Sequence, residues 1–179
     1  QGELSARQYE RSKRLLYIQK YKGSFFKRCP GFKKGLSCCN YFVLNLGLQC
    51  PMDCSYCFLQ SYHNRPVTTI YSNIEDAIKE LDEMAQLNPE ISCRVGTGET
   101  MDSLALDPLT LHSAQLMEFF KSKPRWYLEL KTKTNFVEHL LELPHQRNVI
   151  FGWSLNPQCL IDQEELFTAS LIERLDAAQ

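Results

Sequence analysis

The sequence predicts an α/β fold in which about four βα units surround a parallel sheet. Strand-like apolar runs alternate with amphipathic helical stretches from residue 42 onward, which is the pattern that repeated βα units produce. The chain has 179 residues and is 44% hydrophobic, enough to bury one substantial core. No Pro-rich, Gly-rich or low-complexity linker divides it, and no sequence repeat is visible.

In chain order, residues 1–40 form a basic arm ending near Asn40, with ten Lys/Arg against two acids. Residues 41–179 hold ten against nineteen and form the core. Lys27, Arg28, Lys33 and Lys34 are suited to tracking a phosphate backbone, or equally to docking on the acidic remainder. Tyr9, Tyr17, Tyr21, Phe25, Phe26 and Phe32 interleave with these charges and are placed to stack on bases. Tyr17, Tyr21 and Phe25 also recur at four-residue helical spacing, the pattern of a core face.

Strands are expected at Phe42–Leu48, Ser92–Thr97, Trp126–Lys131 and Asn148–Leu155, and helices at Ile74–Leu87, Leu109–Lys121, Phe136–Leu143 and Glu164–Ala178. Ile74, Ala77, Ile78, Leu81 and Met84 lie three or four residues apart on one helical face, with Asn73 available as its N-cap. Asp107 before Pro108 reads as a cap for the next helix. The sequence stops inside a helical pattern at Leu175–Gln179, so a further C-terminal portion is expected.

No run approaches the 18 or more apolar residues of a membrane span, and the charged start is unlike a secretory signal. A soluble cytoplasmic protein with no membrane partner is the expectation. In that setting eight cysteines point to metal or redox chemistry rather than disulfides. Three of them, Cys50, Cys54 and Cys57, fall within eight residues directly after the first expected strand.

Thiolates select zinc or iron–sulfur clusters. The C-x3-C-x2-C spacing has no nearby fourth ligand, so it would leave one iron of a 4Fe-4S cluster open to the amino and carboxyl groups of S-adenosyl-L-methionine. Zinc completed by His63 or Cys39 is the alternative, but zinc knuckles usually pair two C-x2-C units and this sequence has one.

The spacing, with aromatic Tyr56 just before the last cysteine, is the signature of the radical S-adenosylmethionine superfamily. Cys50–Gln60, Arg94–Asp107 and Phe151–Pro157 together resemble the spore photoproduct lyase family, whose best-known member repairs a thymine dimer in spore DNA. The resemblance runs from about Lys27 to the end. It implies a partial (βα)6 radical SAM barrel, truncated after about four βα units, with its cluster on Cys50, Cys54 and Cys57. It also implies that Lys133 and Ser154 contact S-adenosylmethionine from strand ends, with Tyr56 and Asn156 as neighbours.

Gly96-Thr97-Gly98-Glu99 resembles the Gly-Gly-Glu motif of many radical enzymes, which assigns Gly98 and Glu99 to cofactor binding; Asp102 is a further candidate for the site. Two positions depart from the repair enzyme. Glu99 stands where its hydrogen-donating cysteine lies, and Phe58 where a tyrosine follows the third cluster cysteine. Cys93 lies inside a strand and reads as a buried structural thiol, and the four histidines show no metal or triad spacing.

The expectation is therefore a lyase-like enzyme that cleaves S-adenosylmethionine reductively to a 5′-deoxyadenosyl radical, with an electron donor such as flavodoxin or ferredoxin; either its substrate, with DNA a candidate, or its way of quenching the product radical differs from the repair enzyme's. A non-catalytic iron–sulfur nucleic-acid-binding module and an electron-transfer protein are the competing readings.

Overall fold

A computed structural model describes residues 6–33, 35, 37–62 and 66–179. Lys34 of the basic arm and His63, the alternative zinc ligand, lie outside the described residues. The elements begin with α1 (Ala6–Lys13), β1 (Leu16–Gln19), β2 (Phe26–Arg28), β3 (Tyr41–Leu44), β4 (Gly47–Leu48) and β5 (Asp53–Cys54). Next come α2 (Leu59–Tyr62), β6 (Thr68–Tyr71), α3 (Ile74–Leu87), β7 (Cys93–Gly96), α4 (Asp107–Thr110) and α5 (His112–Phe120). The chain then continues through β8 (Trp126–Thr132), α6 (Glu138–Leu141), β9 (Val149–Trp153), α7 (Gln158–Glu164), β10 (Glu165–Leu166) and α8 (Leu171–Ala177).

The main sheet has the order β2-β3-β7-β8-β9. Strands β3, β7, β8 and β9 are parallel neighbours in sequence order, and β2 is an antiparallel edge. Four parallel strands joined by helical crossovers are the expected βα units, arranged as an open partial barrel. Strand β8 shows how the sheet is sided: Trp126, Leu128, Leu130 and Thr132 are buried, whereas Tyr127 and Lys131 on the opposite face are exposed. The buried side meets Ile74, Ala77 and Leu81 of α3 and Leu116 and Phe120 of α5 in one core. Each large apolar side chain removed from water there contributes roughly 1.5–3 kcal/mol.

Residues of the basic arm join this framework. Strand β1 pairs in parallel with β6, which also pairs with β4 to make a second sheet, and β2 sits on the edge of the first. Tyr17, Tyr21 and Phe25 do not form the helical face their spacing suggested. Tyr17 is an exposed residue of β1, Tyr21 stacks on Tyr71 with ring centroids 4.3 Å apart, and Phe25 is buried edge-on to both rings.

Several expected boundaries shift for local reasons. The strand expected over Phe42–Leu48 divides, because Gly47 leaves the main sheet to pair with Ile70, where an added Cβ would lie 2.3 Å from the Thr69 carbonyl oxygen. The helix expected over Leu109–Lys121 breaks at Leu111, whose φ of 53° is left-handed. Of that expected over Glu164–Ala178, only Leu171–Ala177 forms a new helix, α8; Glu164 ends α7, Glu165–Leu166 form β10, and Phe167 sits at φ 65°. Of Phe136–Leu143, only Glu138–Leu141 is helical.

Two expected caps act elsewhere. The Asn73 side chain does not cap α3; it accepts from Tyr21 N at 2.8 Å and donates to Tyr21 O at 3.0 Å, tying the β1 exit to the start of the helix. Asp107 lies inside α4, and its carboxylate accepts from Ser113 N in the first turn of α5 and pairs with His139 at 2.7 Å. Among the described residues no helix is long and apolar enough to cross a membrane.

Candidate functional site

The C-x3-C-x2-C segment leaves β4 through Gln49, held at φ 64°, and places Cys50 and Cys54 in buried positions and Cys57 in a half-buried one. All three thiols are free. Tight local bonds shape the loop: Cys57 N donates to Cys54 O at 3.0 Å, Gln60 N to Cys57 O at 3.2 Å, and the Gln60 side chain to Cys54 O. Lys13, from α1, donates to the carbonyls of Cys50 at 2.6 Å and Met52 at 2.8 Å. The sequence offered no signal for that role, because Lys13 is one of ten cations in a basic stretch.

Among the described residues no three His, Cys, Asp or Glu side chains are gathered closely enough to hold a metal ion. The loop thus brings the three thiols into one neighbourhood but not to a common point. Burial, reinforced by the Asp102 carboxylate, pushes the Cys50 thiol up to about 12, against N–H donors from Met52 and Asp102 and the charge of Lys13. Burial also raises Cys54, opposed by the Lys133 charge. These thiols are protonated near neutral pH, and a bound cation would displace the protons. Three free thiols on one loop match the donor chemistry of an iron–sulfur cluster.

The C-terminal elements clamp this loop. Strand β10 pairs antiparallel with β5, setting Glu165 opposite Cys54 and Leu166 opposite Asp53. Ser55 N donates to Glu164 O at 2.9 Å, and the Ser55 hydroxyl bonds the Glu164 carboxylate. Ala169 N reaches across to Lys133 O at 2.9 Å, joining the end of β8 to the same corner.

Three expected cofactor residues meet here around a carboxylate that sequence reasoning missed. Lys133 Nζ lies 2.8 Å from the Tyr56 hydroxyl, 3.4 Å from Glu165 Oε1 and 3.9 Å from Cys54 Sγ. Asn156 Nδ2 donates to Glu165 Oε1 at 2.7 Å and to the Tyr56 hydroxyl at 3.2 Å, and Tyr56 also donates to Glu165. On the far side Arg174, 0% exposed, donates to Glu165 Oε2 at 2.6 Å. Burial works against the Glu165 charge, but donors from Tyr56, Arg174 and Asn156 and the Lys133 charge bring its pKa down to about 2. Burial likewise opposes the Lys133 charge; the Tyr56 hydrogen bond and the Cys54 and Glu165 charges outweigh it and raise its pKa.

The remaining expected residues stand apart from this network. Ser154 is exposed at the end of β9, where its carbonyl accepts from Arg174 at 2.7 Å. Gly98 fits closely beside Ser103 and Lys131, where a Cβ would lie 3.1 Å from Ser103 Oγ. Glu99 is half-buried, and burial raises its pKa against the charge of Lys27. Asp102 accepts from Leu104 N, Ala105 N, Lys133 N and the Thr132 hydroxyl, so its carboxylate braces the loop and the end of β8. Cys93 is buried, as a structural thiol should be, and Phe58 is exposed with its ring edge-on to Tyr62.

A second polar group lies on the sheet face opposite the helices. Glu129 is 6% exposed and lies beside Tyr41, whose hydroxyl pKa is raised by burial and by this carboxylate, with Arg94 at 3.7 Å and Lys131 at 3.6 Å. Among the described residues no hydrogen-bond donor reaches its Oε2. Gly96 makes room for Tyr41, since a Cβ there would fall 1.8 Å from the hydroxyl.

The chain as a whole resembles proteins of known kind. A spore photoproduct lyase from Geobacillus sp. (strain Y412MC61) is 32% identical over 143 residues, covering 77% of this chain and 41% of the relative. That from Bacillus subtilis (strain 168) is 30% identical over 139 residues, covering 76% and 40%. The chain therefore spans about 40% of the length of these curated relatives. A solved structure of a spore photoproduct lyase double mutant with bound AdoMet and dinucleoside spore photoproduct superposes with a TM-score of 0.85 at 25% identity, covering 99% of this chain and 51% of that one. The spore photoproduct lyase family profile matches residues 1–179, and the chain belongs to that family.

Proposed function

We propose that this chain is the cofactor-binding part of a radical S-adenosylmethionine enzyme, holding a 4Fe-4S cluster on Cys50, Cys54 and Cys57. The observation that carries the reading is the meeting of the free-thiol loop with Lys133, Tyr56 and Asn156 at the strand ends of a parallel sheet. Active sites of (βα) barrels are built at that edge. A relative with the same fold binds AdoMet, which supports the choice of cofactor.

When bound, the cluster supplies the electron that breaks the sulfur–carbon bond of S-adenosylmethionine. The chain's own residues bind and orient. Lys133 presents a cation beside Cys54, suited to a carboxylate or to the negative charge of a thiolate-ligated cluster. The Tyr56 hydroxyl accepts from the Lys133 ammonium, and the Asn156 amide donates in turn to that hydroxyl and to Glu165. Gly98, Glu99 and Ser154 lie on neighbouring strand ends and would complete the cofactor's contacts. Asp102 holds the backbone that carries Lys133.

Glu99 and Phe58 stand where the repair enzyme has a cysteine and a tyrosine. A carboxyl group and a phenyl ring cannot donate a hydrogen atom as a thiol and a phenol do. The substrate is accordingly one whose product radical is quenched otherwise, with nucleic acid reached through the basic arm and electrons supplied by a flavodoxin or ferredoxin.

The test is anaerobic reconstitution with iron and sulfide, reduction, and addition of S-adenosylmethionine. The expected products are 5′-deoxyadenosine and methionine, with dimer-containing DNA tried next. An intact cluster that yields neither product overturns the reading, and stoichiometric zinc without a cluster absorbance band near 400 nm overturns the cluster itself.

A further inference from the structure

The Glu165 carboxylate is divided between two neighbourhoods. Its Oε2 faces the Arg174 guanidinium, and its Oε1 faces Tyr56, Asn156 and Lys133. A pair that served only to close the α7–α8 turn would be expected to use both oxygens on the guanidinium fork, the bidentate geometry that arginine favours. Here the fork is committed to other partners: Arg174 donates to Ala169 O at 2.9 Å, Ser154 O at 2.7 Å and Thr168 Oγ1 at 2.7 Å. Arg174 is thereby locked to the end of β9 and to the α7–α8 connection, and it holds Glu165 through Nη2 alone.

We propose that Glu165 and Arg174 are positioning residues that carry the rigidity of the C-terminal segment to Tyr56 and Lys133, and so set how tightly the thiol-loop corner binds its cofactor. The inference rests on the reading of that corner as the S-adenosylmethionine site. Neither residue touches a thiol through its side chain; both act through Tyr56 and Lys133. Outer partners of this kind commonly change ligand affinity by about 10–100-fold when removed. Strand β10 delivers the effect, because the backbone that bears Glu165 is also paired with Cys54.

Removing either residue alone strands a buried charge, so the test uses the double variant Glu165→Met/Arg174→Met, which replaces a buried ion pair by apolar groups of similar length. In cluster-free protein, amide hydrogen exchange over residues 53–57 is expected to quicken by about tenfold, with α3 and β8 unchanged. In reconstituted protein, iron content is expected to equal that of the wild type, while the dissociation constant for S-adenosylmethionine rises by about tenfold or more. The response of the reduced cluster's EPR signal to the cofactor should weaken with it.

Unchanged exchange over residues 53–57, or unchanged cofactor affinity at equal iron content, overturns the inference. Lost iron with no change in affinity per cluster also overturns it, since that is what a purely structural pair would give. If wild-type protein with an intact cluster binds no S-adenosylmethionine, the reading of the site fails, and the exchange measurement alone decides whether Glu165 and Arg174 hold the loop.

Discussion

Glu165 and Glu129 are both almost fully buried, at 3% and 6% exposure, yet the chain treats them differently. Glu165 has donors on both oxygens from four side chains, Tyr56, Asn156, Lys133 and Arg174, contributed by four separate segments. Glu129 lies beside Tyr41, sees two cations only at 3.6 and 3.7 Å, and has one oxygen that no donor among the described residues reaches. A buried carboxylate with donors on both oxygens makes a rigid corner; one with an oxygen left open is weakly anchored to its surroundings. The difference separates a junction that fixes the thiol-loop corner from a polar face on the open side of the sheet.

The strongest way to break this comparison is to remove Arg174. Arg174→Met leaves Glu165 buried without its guanidinium and is expected to cost about 3–5 kcal/mol, as loss of one partner from a buried ion pair generally does. Glu165→Met/Arg174→Met should recover part of that loss, because the stranded carboxylate goes with its partner, while Lys133, whose side chain is 17% exposed, keeps its charge without Glu165. Urea unfolding midpoints measure both. A double variant no more stable than the single would show that the guanidinium contributes chiefly through Ser154, Thr168 and Ala169 rather than through Glu165.

Acid titration sharpens the same point. Glu165 is depressed from 4.5 to about 2, so the folded state binds its proton less readily than the unfolded chain. Its contribution is then fully present above about pH 4.5 and is lost as pH falls toward 2, with a size of up to about 3 kcal/mol. The gap in stability between the wild type and Glu165→Met/Arg174→Met should shift in the wild type's disfavour over that window and stay constant from pH 5 to 7. A gap that is flat throughout would mean that Glu165 is as easily protonated in the fold as out of it.

What the sequence disclosed follows from the range of the interactions. Helix α3 was legible to the residue, because Ile74, Ala77 and Leu81 repeat with the helical period and bury one face. The thiol loop and its neighbours Tyr56, Lys133 and Asn156 were legible through a motif and its family. Glu165 and Arg174 were not, since in sequence they are ordinary helix-surface charges and their partners lie up to 109 residues away. A local signal for the break between α7 and α8 was present, however: Ser170 and Glu173 form a capping box that starts α8. Strand β6 escaped notice because all four of its residues are buried, leaving no alternation to read.

On the open face, Gly96→Ala tests whether Tyr41 depends on the space that glycine leaves. The new Cβ would meet the Tyr41 hydroxyl at 1.8 Å and its ring carbon Cζ at 2.6 Å, so the ring must move away from Glu129. Overpacking of this kind costs about 1–3 kcal/mol. Tyr41→Phe in the same background removes the closest atom but not the ring, so partial recovery is expected. Full recovery would place the whole clash at the hydroxyl.

The smallest effect is expected at Glu129 itself. Glu129→Gln keeps the shape beside Tyr41, and it removes a charge whose cationic neighbours are close but not hydrogen-bonded. The Arg94 and Lys131 side chains are 46% and 54% exposed, so water and salt screen their attraction to the carboxylate, and pairs of that kind are worth about 0–1 kcal/mol. The amide also escapes the cost of keeping a charge buried beside an oxygen that no donor reaches. The change in stability should therefore stay within about 1 kcal/mol and shrink further as salt is added, whereas Glu165→Gln should cost about 3 kcal/mol and respond little to salt. If Glu129→Gln proves as costly as Glu165→Gln, the open face is as tightly wired as the thiol-loop corner, and the contrast between the two glutamates falls.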